Sequence, residues 1–356
     1  MSNPINPEKI TALRFRRQRL SNPAQSEQEY QELFRMLSPV MTPYWCCPGD
    51  PPSISPRVGF EEKILCNRLR LEHKLIKGRF QKGNIAYIFA DELPLFGAVY
   101  QKKVSLVGQA QEILDLLQRE GPMTVQGIKE LTEMPVKEIT PILHKLQTAF
   151  LVFENQEDNE WDRAWYLFSE MFPDTSIDSG KRKEGMETLV LRAAGMLVRV
   201  TPEMLRSLYG FTIKEIKEVL SGLVQEEKLV FDGEGYLLPE DMQELENLKG
   251  DCLKSVFALQ RNDYLVRAFE TVLKGKYQPR GEDKDWTEIF YLLIDGEFQG
   301  AVLGKFRNGP FDLEDVVLDL PQEEAEKRRE EIIKAIGERA NLDASPLKRY
   351  QGRKLS

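Results

Sequence analysis

The chain has 356 residues, more than one hydrophobic core usually serves, so its length predicts two to four compact units. Hydrophobic residues make up 41% and charged residues 30%, and no apolar run approaches the ~20 residues that span a bilayer. This composition argues against a membrane-spanning or a disordered chain. The N-terminus lacks a secretory signal pattern and the four cysteines form no disulfide framework, so we expect a cytoplasmic protein with reduced thiols.

The net charge of −8 is unevenly distributed along the chain. Residues 1–105 contain 16 Lys and Arg against 10 Asp and Glu, whereas the remainder contains 33 against 47. Only the N-terminal third therefore has the sign of charge that favours nucleic acid.

The N-terminal third is expected to fold into helices followed by a hairpin. Apolar residues recur at helical spacing in Ile10–Leu20, which is a basic helix, and in Tyr30–Leu37. An irregular loop rich in proline follows from Thr42 to Pro56. A helix over Phe60–Glu72 and two β-prone runs around the turn that begins at Gln81 complete this part.

The stretch Gln109–Phe168 predicts one complete winged helix-turn-helix. Its first apolar stripe ends at Gly121-Pro122, Thr124 can cap a short second helix, and Pro135 precedes a third helix, the expected recognition helix. Two β-prone runs on either side of a polar turn then form the wing.

A further copy of this pattern follows at a fixed offset of 77 residues, without a gap through the three helices. Thr124 aligns with Thr201, and Leu143 aligns with Leu220. Self-similarity at a fixed period indicates repeated structural units. The wing turn of this copy begins at Asp232 and is acidic, so we expect this wing to avoid phosphate.

After Asp251 the pattern changes to β-prone runs with Asp295-Gly296 as a hairpin turn, followed by a charged helix over Gln322–Gly337 and a loose basic tail over Ser345–Ser356. The expected fold is mainly α with β wings, built of tandem winged helix-turn-helix units and a small C-terminal α+β domain. The expected boundaries are a basic N-terminal winged-helix unit (1–105), a second winged helix (106–180), a third (181–250) and a β-rich C-terminal domain with a terminal helix and basic tail (251–356).

Winged-helix domains contact the DNA backbone and grooves through cations on their helices and wings. The alternative for such residues is a solvated basic face. The candidates for contact with double-stranded DNA are Arg14, Arg16, Arg17, Arg19, Arg68, Arg70, Lys77, Arg79 and Lys82. Tyr44 and Trp45 could stack on an extruded base, and packing in the core is the alternative for both.

Metal and redox patterns are missing from the sequence. His73 and His144 are far apart, and Cys46-Cys47 lacks the two-residue spacer of a zinc or redox pair. We therefore expect no metal and no cofactor.

Three segments resemble the winged-helix DNA-binding family that contains the AlkZ/YcaQ crosslink-repair DNA glycosylases. They are the Arg-rich segment Ala12–Leu20, the Gly121-Pro122 pair before the second helix-turn-helix, and Phe89–Pro94 after the first hairpin. The resemblance implies tandem winged helices and DNA as a partner.

The chain departs from the family at the catalytic motifs. The loop Pro43–Pro48 stands where the glycosylases carry a Gln-hydrophobic-Gln or Gln-hydrophobic-Asp element, and Ala86 stands at the histidine position of their Arg-Gly-Thr-x-His segment. Asp50 is the nearest acid that could orient a nucleophilic water. The sequence thus predicts a DNA-binding protein without the usual glycosylase site. Two alternatives stay open, a glycosylase with a rearranged site and a protein-interaction scaffold whose partner binds the acidic winged-helix units.

Overall fold

The computed structural model describes residues 5–42, 50–155, 163–248, 254–278, 285–306 and 311–355. About 48% of the residues are helical and 19% lie in strands, so helices dominate. The described strands form two six-stranded sheets and one two-stranded sheet.

The N-terminal unit joins three helices to a hairpin and a fourth helix. Asn6 caps the first helix by accepting a hydrogen bond from the Glu8 amide, and Pro7 occupies its first turn, where a missing N–H costs nothing. The elements are α1 (Pro7–Arg17), α2 (Glu27–Leu37), β1 (Val40–Met41), α3 (Glu62–Leu71), β2 (Leu75–Arg79), β3 (Ile85–Phe89) and α4 (Leu93–Tyr100).

The second unit has the predicted order of three helices and a hairpin. Thr124 caps the second of these helices by accepting from the Gly127 amide at 3.1 Å. The elements are α5 (Gln109–Glu120), β4 (Met123–Thr124), α6 (Val125–Thr132), α7 (Val136–Thr148), β5 (Val152–Asn155), β6 (Ala164–Leu167) and α8 (Phe168–Met171).

The third unit repeats two of these helices at the predicted offset. Both ends of its second and third helices lie 77 residues after the ends of α6 and α7. Thr201 caps the second helix, and Thr212 forms a reciprocal capping box with Glu215 at the start of the third. The elements are α9 (Arg182–Leu197), α10 (Pro202–Tyr209), α11 (Ile213–Gln225), β7 (Val230–Phe231), β8 (Tyr236–Leu237) and α12 (Pro239–Asn247).

The C-terminal unit is a six-stranded sheet accompanied by short helices. Asp295 and Gly296 both have positive φ, as the predicted two-residue hairpin turn requires. The elements are β9 (Val256–Gln260), α13 (Tyr264–Ala268), α14 (Glu270–Leu273), β10 (Thr287–Ile294), β11 (Glu297–Lys305), β12 (Asp312–Leu318), α15 (Gln322–Lys327), α16 (Arg329–Gly337), β13 (Arg349–Tyr350) and β14 (Arg353–Lys354).

The prediction of a loose basic tail over residues 345–356 was wrong. The segment continues the C-terminal sheet, because β13 pairs with β12 in parallel and β14 pairs back on β13. Leu347 and Tyr350 are buried among the sheet's apolar residues, and the Tyr350 hydroxyl donates to the Ala325 carbonyl at 2.6 Å. Burial of Leu347 and Tyr350 therefore stabilises this segment in the sheet, although its basic composition suggested a loose tail.

The first two units share one sheet, in the strand order β1-β3-β2-β5-β6-β4. The strands of the two units meet where Lys77 of β2 pairs with Glu154 of β5. One large core cluster contains residues of all four units, with Phe150, Phe153 and Phe168 from the second. The helices of the second unit also pack around a separate core that includes Ile113, Leu143 and Trp165.

Candidate nucleic-acid interface

The structure places the four arginines at the N-terminus against other parts of the chain. The side chain of Arg17 pairs with Asp241 at 2.6 Å and with Glu244 at 2.8 Å, both on α12. Arg16 also reaches Glu244, at 3.2 Å, and about half of its side chain stays exposed. These pairs join α1 to α12. Arg16 and Arg17, which the sequence predicted to contact DNA, therefore form ion pairs within the protein.

Arg14 and Arg19 likewise have partners within the protein. Arg19 pairs with Glu29 at 2.9 Å. The Nε of Arg14 donates to the Leu197 carbonyl at 3.0 Å, and its guanidinium lies 5.2 Å from the centre of the Phe269 ring.

The predicted DNA-contacting cations of α3 and β2 also have partners within the protein, and they differ in exposure. Arg68 is about half exposed and pairs with Glu27 at 2.5 Å. Arg70 is buried and lies 5.6 Å from the Tyr87 ring. Lys77 is buried on β2, and its ammonium lies 3.3 Å from the Glu154 carboxylate.

Glu154 is the carboxylate at the centre of a buried charge cluster where the two hairpins meet. Arg163 of the second hairpin donates to it at 2.9 Å, while Lys77 approaches from the first. Burial opposes ionisation of Glu154, but the adjacent Lys77 and Arg163 prevail and lower its pKa. Burial also lowers the pKa of Lys77, which Glu154 partly offsets.

Arg79 ends β2 at the edge of this cluster and contacts α7. Its Nη2 lies 2.9 Å from His144 Nε2, and its Nη1 donates to the Gly83 carbonyl at 3.1 Å. Since a guanidinium only donates hydrogen bonds, His144 accepts through Nε2 and is neutral. Burial, followed by the charge of Arg79, lowers the pKa of His144 to about 4.

A cleft of about 730 Å³ opens above Arg79 and His144, between the first hairpin, α7 and the segment that precedes α5. Besides Arg79, its cations are Lys102, Lys103 and Lys145, all of them exposed. None of the described residues that line the cleft is acidic. In the described chain, no carboxylate lies within 4.0 Å of these three ammonium groups. We call this feature the cationic cleft. Its lysines have no carboxylate partner in the described chain, whereas Arg16, Arg17 and Arg19 form ion pairs within the protein.

The third helix of the third unit lacks the histidine and lysine that α7 contributes to the cationic cleft. At the 77-residue offset, Ser221 and Gly222 stand where α7 has His144 and Lys145. Its wing turn is acidic, as predicted, and Asp232 and Glu234 both accept hydrogen bonds from Arg199.

Sequence reasoning missed Lys102 and Lys103, because they lie in an irregular segment between two units rather than on a predicted helix or wing. Lys145 was visible as a polar residue of the expected recognition helix. The lysine pair was visible only as two adjacent cations in a stretch without periodicity.

Several predicted site residues stay untested by this geometry. Tyr44 and Trp45 lie outside the described residues, and so does the side chain of Lys82. Asp50, the first described residue after position 49, is half-buried. In the described ranges no group of three or more His, Cys, Asp or Glu side chains could hold a metal ion, and no helix is long and apolar enough to cross a membrane.

Fold and cleft together define a mostly helical protein of several units that presents an open cationic cleft at a junction between two of them. The sequence matches no protein-family model and no curated protein. Among solved structures, the fold is similar to that of the Streptomyces sahachiroi DNA glycosylase AlkZ, with a TM-score of 0.62 and 15% sequence identity. The similarity covers 93% of this chain and 96% of that chain.

Proposed function

We propose that this protein binds double-stranded DNA through the cationic cleft, on a scaffold of tandem winged helices. The observation that carries the proposal is the set of three exposed lysines, Lys102, Lys103 and Lys145, that have no carboxylate partner in the described chain and face one open cleft. Exposed ammonium groups in such a cleft attract phosphate, and binding then releases counterions from DNA. The fold that the chain shares with a DNA glycosylase supports the same class of ligand.

The N-terminal hairpin, α7 and the segment that precedes α5 form the walls of the proposed interface. We assign α7 as the recognition helix of the second winged helix, and Arg79 and Lys82 as cations of the first wing. Arg16 and Arg68 are the exposed members of the predicted set among the described side chains, and we assign them to phosphate contacts at the periphery. Arg17 is a poorer candidate for DNA contact, because two carboxylates already share its charge.

The test replaces Lys102, Lys103 and Lys145 together by Gln and measures affinity for a duplex over a range of salt concentrations. Each lost phosphate contact should reduce the salt slope by about one, so we expect a slope smaller by about three and at least a tenfold loss of affinity. The matched control replaces Lys183, Lys214 and Lys217 of the third unit by Gln, which changes the net charge equally. Equal losses in both triple variants would overturn the proposed interface.

Base excision is the alternative, because the structurally similar AlkZ is a DNA glycosylase. We propose binding without excision by the family's usual route, since Ala86 and the loop Pro43–Pro48 replace the residues that the resemblance requires. The purified protein is incubated with duplex DNA that contains an N7-alkylated purine, and free base is measured. Release that disappears in Asp50→Asn would establish the glycosylase with a rearranged site instead.

A further inference from the structure

A second cavity lies away from the cationic cleft, between α1, the helices α13 and α14, and the hairpin of β10 and β11. Its volume is about 260 Å³, below the ~300–1,000 Å³ of sites for drug-sized ligands. Its walls are mostly apolar and come from two units of the chain. The apolar side chains include Phe15, Leu265, Phe269, Leu273, Leu293 and Phe298.

Arg14 supplies positive charge to this apolar cavity. Only its Nε has a hydrogen-bond partner among the described residues, the Leu197 carbonyl, and no described carboxylate lies within 4.0 Å of its guanidinium. Burial lowers the pKa of Arg14 to about 10, so the group stays charged at neutral pH. Glu297 attracts this guanidinium only from beyond 4.0 Å. A partly buried cation without a direct ion pair is costly, and an anion in the cavity would offset that cost.

Among the other polar groups of the lining, Thr11 is the one that favours an anion. Thr11 lies one turn before Arg14 on α1, and its hydroxyl makes no hydrogen bond with another described residue. Lys276 is already paired with Asp319, at 2.6 Å. Among the described residues of the lining, Glu297 is the one that is acidic. It is exposed at the rim, and its charge opposes an incoming anion.

We propose that this cavity binds a small carboxylate with an apolar body. The two terminal nitrogens of Arg14 form the fork that a carboxylate accepts in a bidentate manner, and the Thr11 hydroxyl donates a further hydrogen bond. The apolar body packs against the rings of Phe269 and Phe298, which contact each other with their centres 5.9 Å apart. A bound carboxylate would join α1 to the C-terminal unit. This inference is independent of the DNA proposal.

The experiment titrates the full-length protein with benzoate by calorimetry, with benzyl alcohol as the neutral probe of similar shape. We expect saturable binding of benzoate, at least tenfold weaker binding of benzyl alcohol, and a rise in Tm with benzoate concentration. Arg14→Gln should weaken benzoate binding at least tenfold. Absence of saturable benzoate binding, or equal affinity for the two probes, would overturn the proposal.

Two rim variants keep the test decisive even if Arg14→Gln fails to fold. Val272 is 67% exposed at the mouth of the cavity, so Val272→Asp adds a carboxylate with little effect on packing, and Val272→Asn is its uncharged control. We expect Val272→Asp to weaken benzoate binding severalfold and Glu297→Gln to strengthen it severalfold. Benzoate affinities equal to wild type in both Val272→Asp and Glu297→Gln would contradict the assigned cavity.

Discussion

Individual arginines in this protein are committed to internal contacts by partners far away in the sequence. Arg57 is 1% exposed and pairs with Asp263 at 2.6 Å, across 206 positions of the chain. It also donates to Gln18, at 2.9 Å. Arg57 thereby links Gln18 of the N-terminal unit to Asp263 of the C-terminal one. Such a pair gains little over apolar packing, but it penalises any arrangement in which one partner is missing.

Replacing Asp263 with Asn should lower the free energy of unfolding by about 3–5 kcal/mol, because Arg57 stays buried without its counter-ion. Asn is chosen because Asp263 also caps α13, by accepting from the Leu265 amide at 2.8 Å, and an amide oxygen can keep that bond. Urea unfolding measures the loss. The control is Glu120→Gln, which removes a mostly exposed pair with Arg119 and should cost less than ~1 kcal/mol. A similar cost for both variants would contradict the assignment.

Asp241 predicts a pH dependence of stability. Burial raises the pKa of this carboxyl to about 6, in spite of Arg17, whereas the ordinary value in an unfolded chain is about 3.9. The folded state therefore holds the proton more tightly, so this group's contribution is complete below about pH 4 and declines as pH rises to about 6. Relative to Asp241→Asn, the wild type should lose roughly 1.4 kcal/mol per pH unit in that window. Parallel curves for the two proteins would show that Asp241 does not titrate in this way.

At the scale of elements, the same helical pattern serves different surfaces in its two copies. Helices α6 and α10 have equal lengths, as have α7 and α11, and both second helices begin at a capping threonine. The exposed faces are free to differ, because periodicity constrains only the buried positions. Lys145 on α7 thus has no counterpart on α11.

The C-terminal strands allow a direct test of how much an element that looks like a tail contributes. Tyr350 is 4% exposed, and Tyr350→Ala should destabilise the protein by about 3–5 kcal/mol, as expected for a buried aromatic residue. Tyr350→Phe removes only the hydrogen bond to Ala325 and should cost about 0.5–1.5 kcal/mol. Chemical denaturation distinguishes the two. If Tyr350→Ala leaves stability unchanged, the segment does not belong to the folded sheet in solution.

The whole molecule contains a continuous core and one unit beside it. Residues of the N-terminal, third and C-terminal units belong to one apolar cluster, which the hairpin of the second unit joins through Phe153 and Phe168. The helices of the second unit pack around a core of their own. Its link to the rest includes the Lys77–Glu154 strand pairing, the charge cluster around it, and aromatic contacts such as that of Phe150 with Phe80. A unit with a separate core should open separately.

Native-state hydrogen exchange should therefore resolve two groups of amides. Those of α5, α6 and α7 should share one opening free energy, below that of β10, β11 and α9. Glu154→Gln should lower the first value further and leave the second unchanged, because it removes the carboxylate that joins the two hairpins. A single opening free energy for all these helices and strands would show that the protein unfolds as one body.

The sequence by itself determined the positions of most helices and strands, since helix periodicity, capping threonines and turn residues are local signals. The α7 helix and the Asp295-Gly296 turn are examples. The tail over residues 345–356 was misjudged, because its burial depends on a strand that precedes it by about thirty positions.

Only the tertiary structure decided which cations remain available for a ligand. Arg17 and Lys145 are equally basic in the sequence, yet Arg17 meets Asp241 across 224 positions whereas Lys145 lines an open cleft. The same holds for Arg14, which lies on a helix expected to bind DNA but contributes to an apolar cavity against the C-terminal unit. The physical reason is that the energy of a charge depends on the distance to its partners and on the surrounding solvent, and both are set by residues remote in the chain.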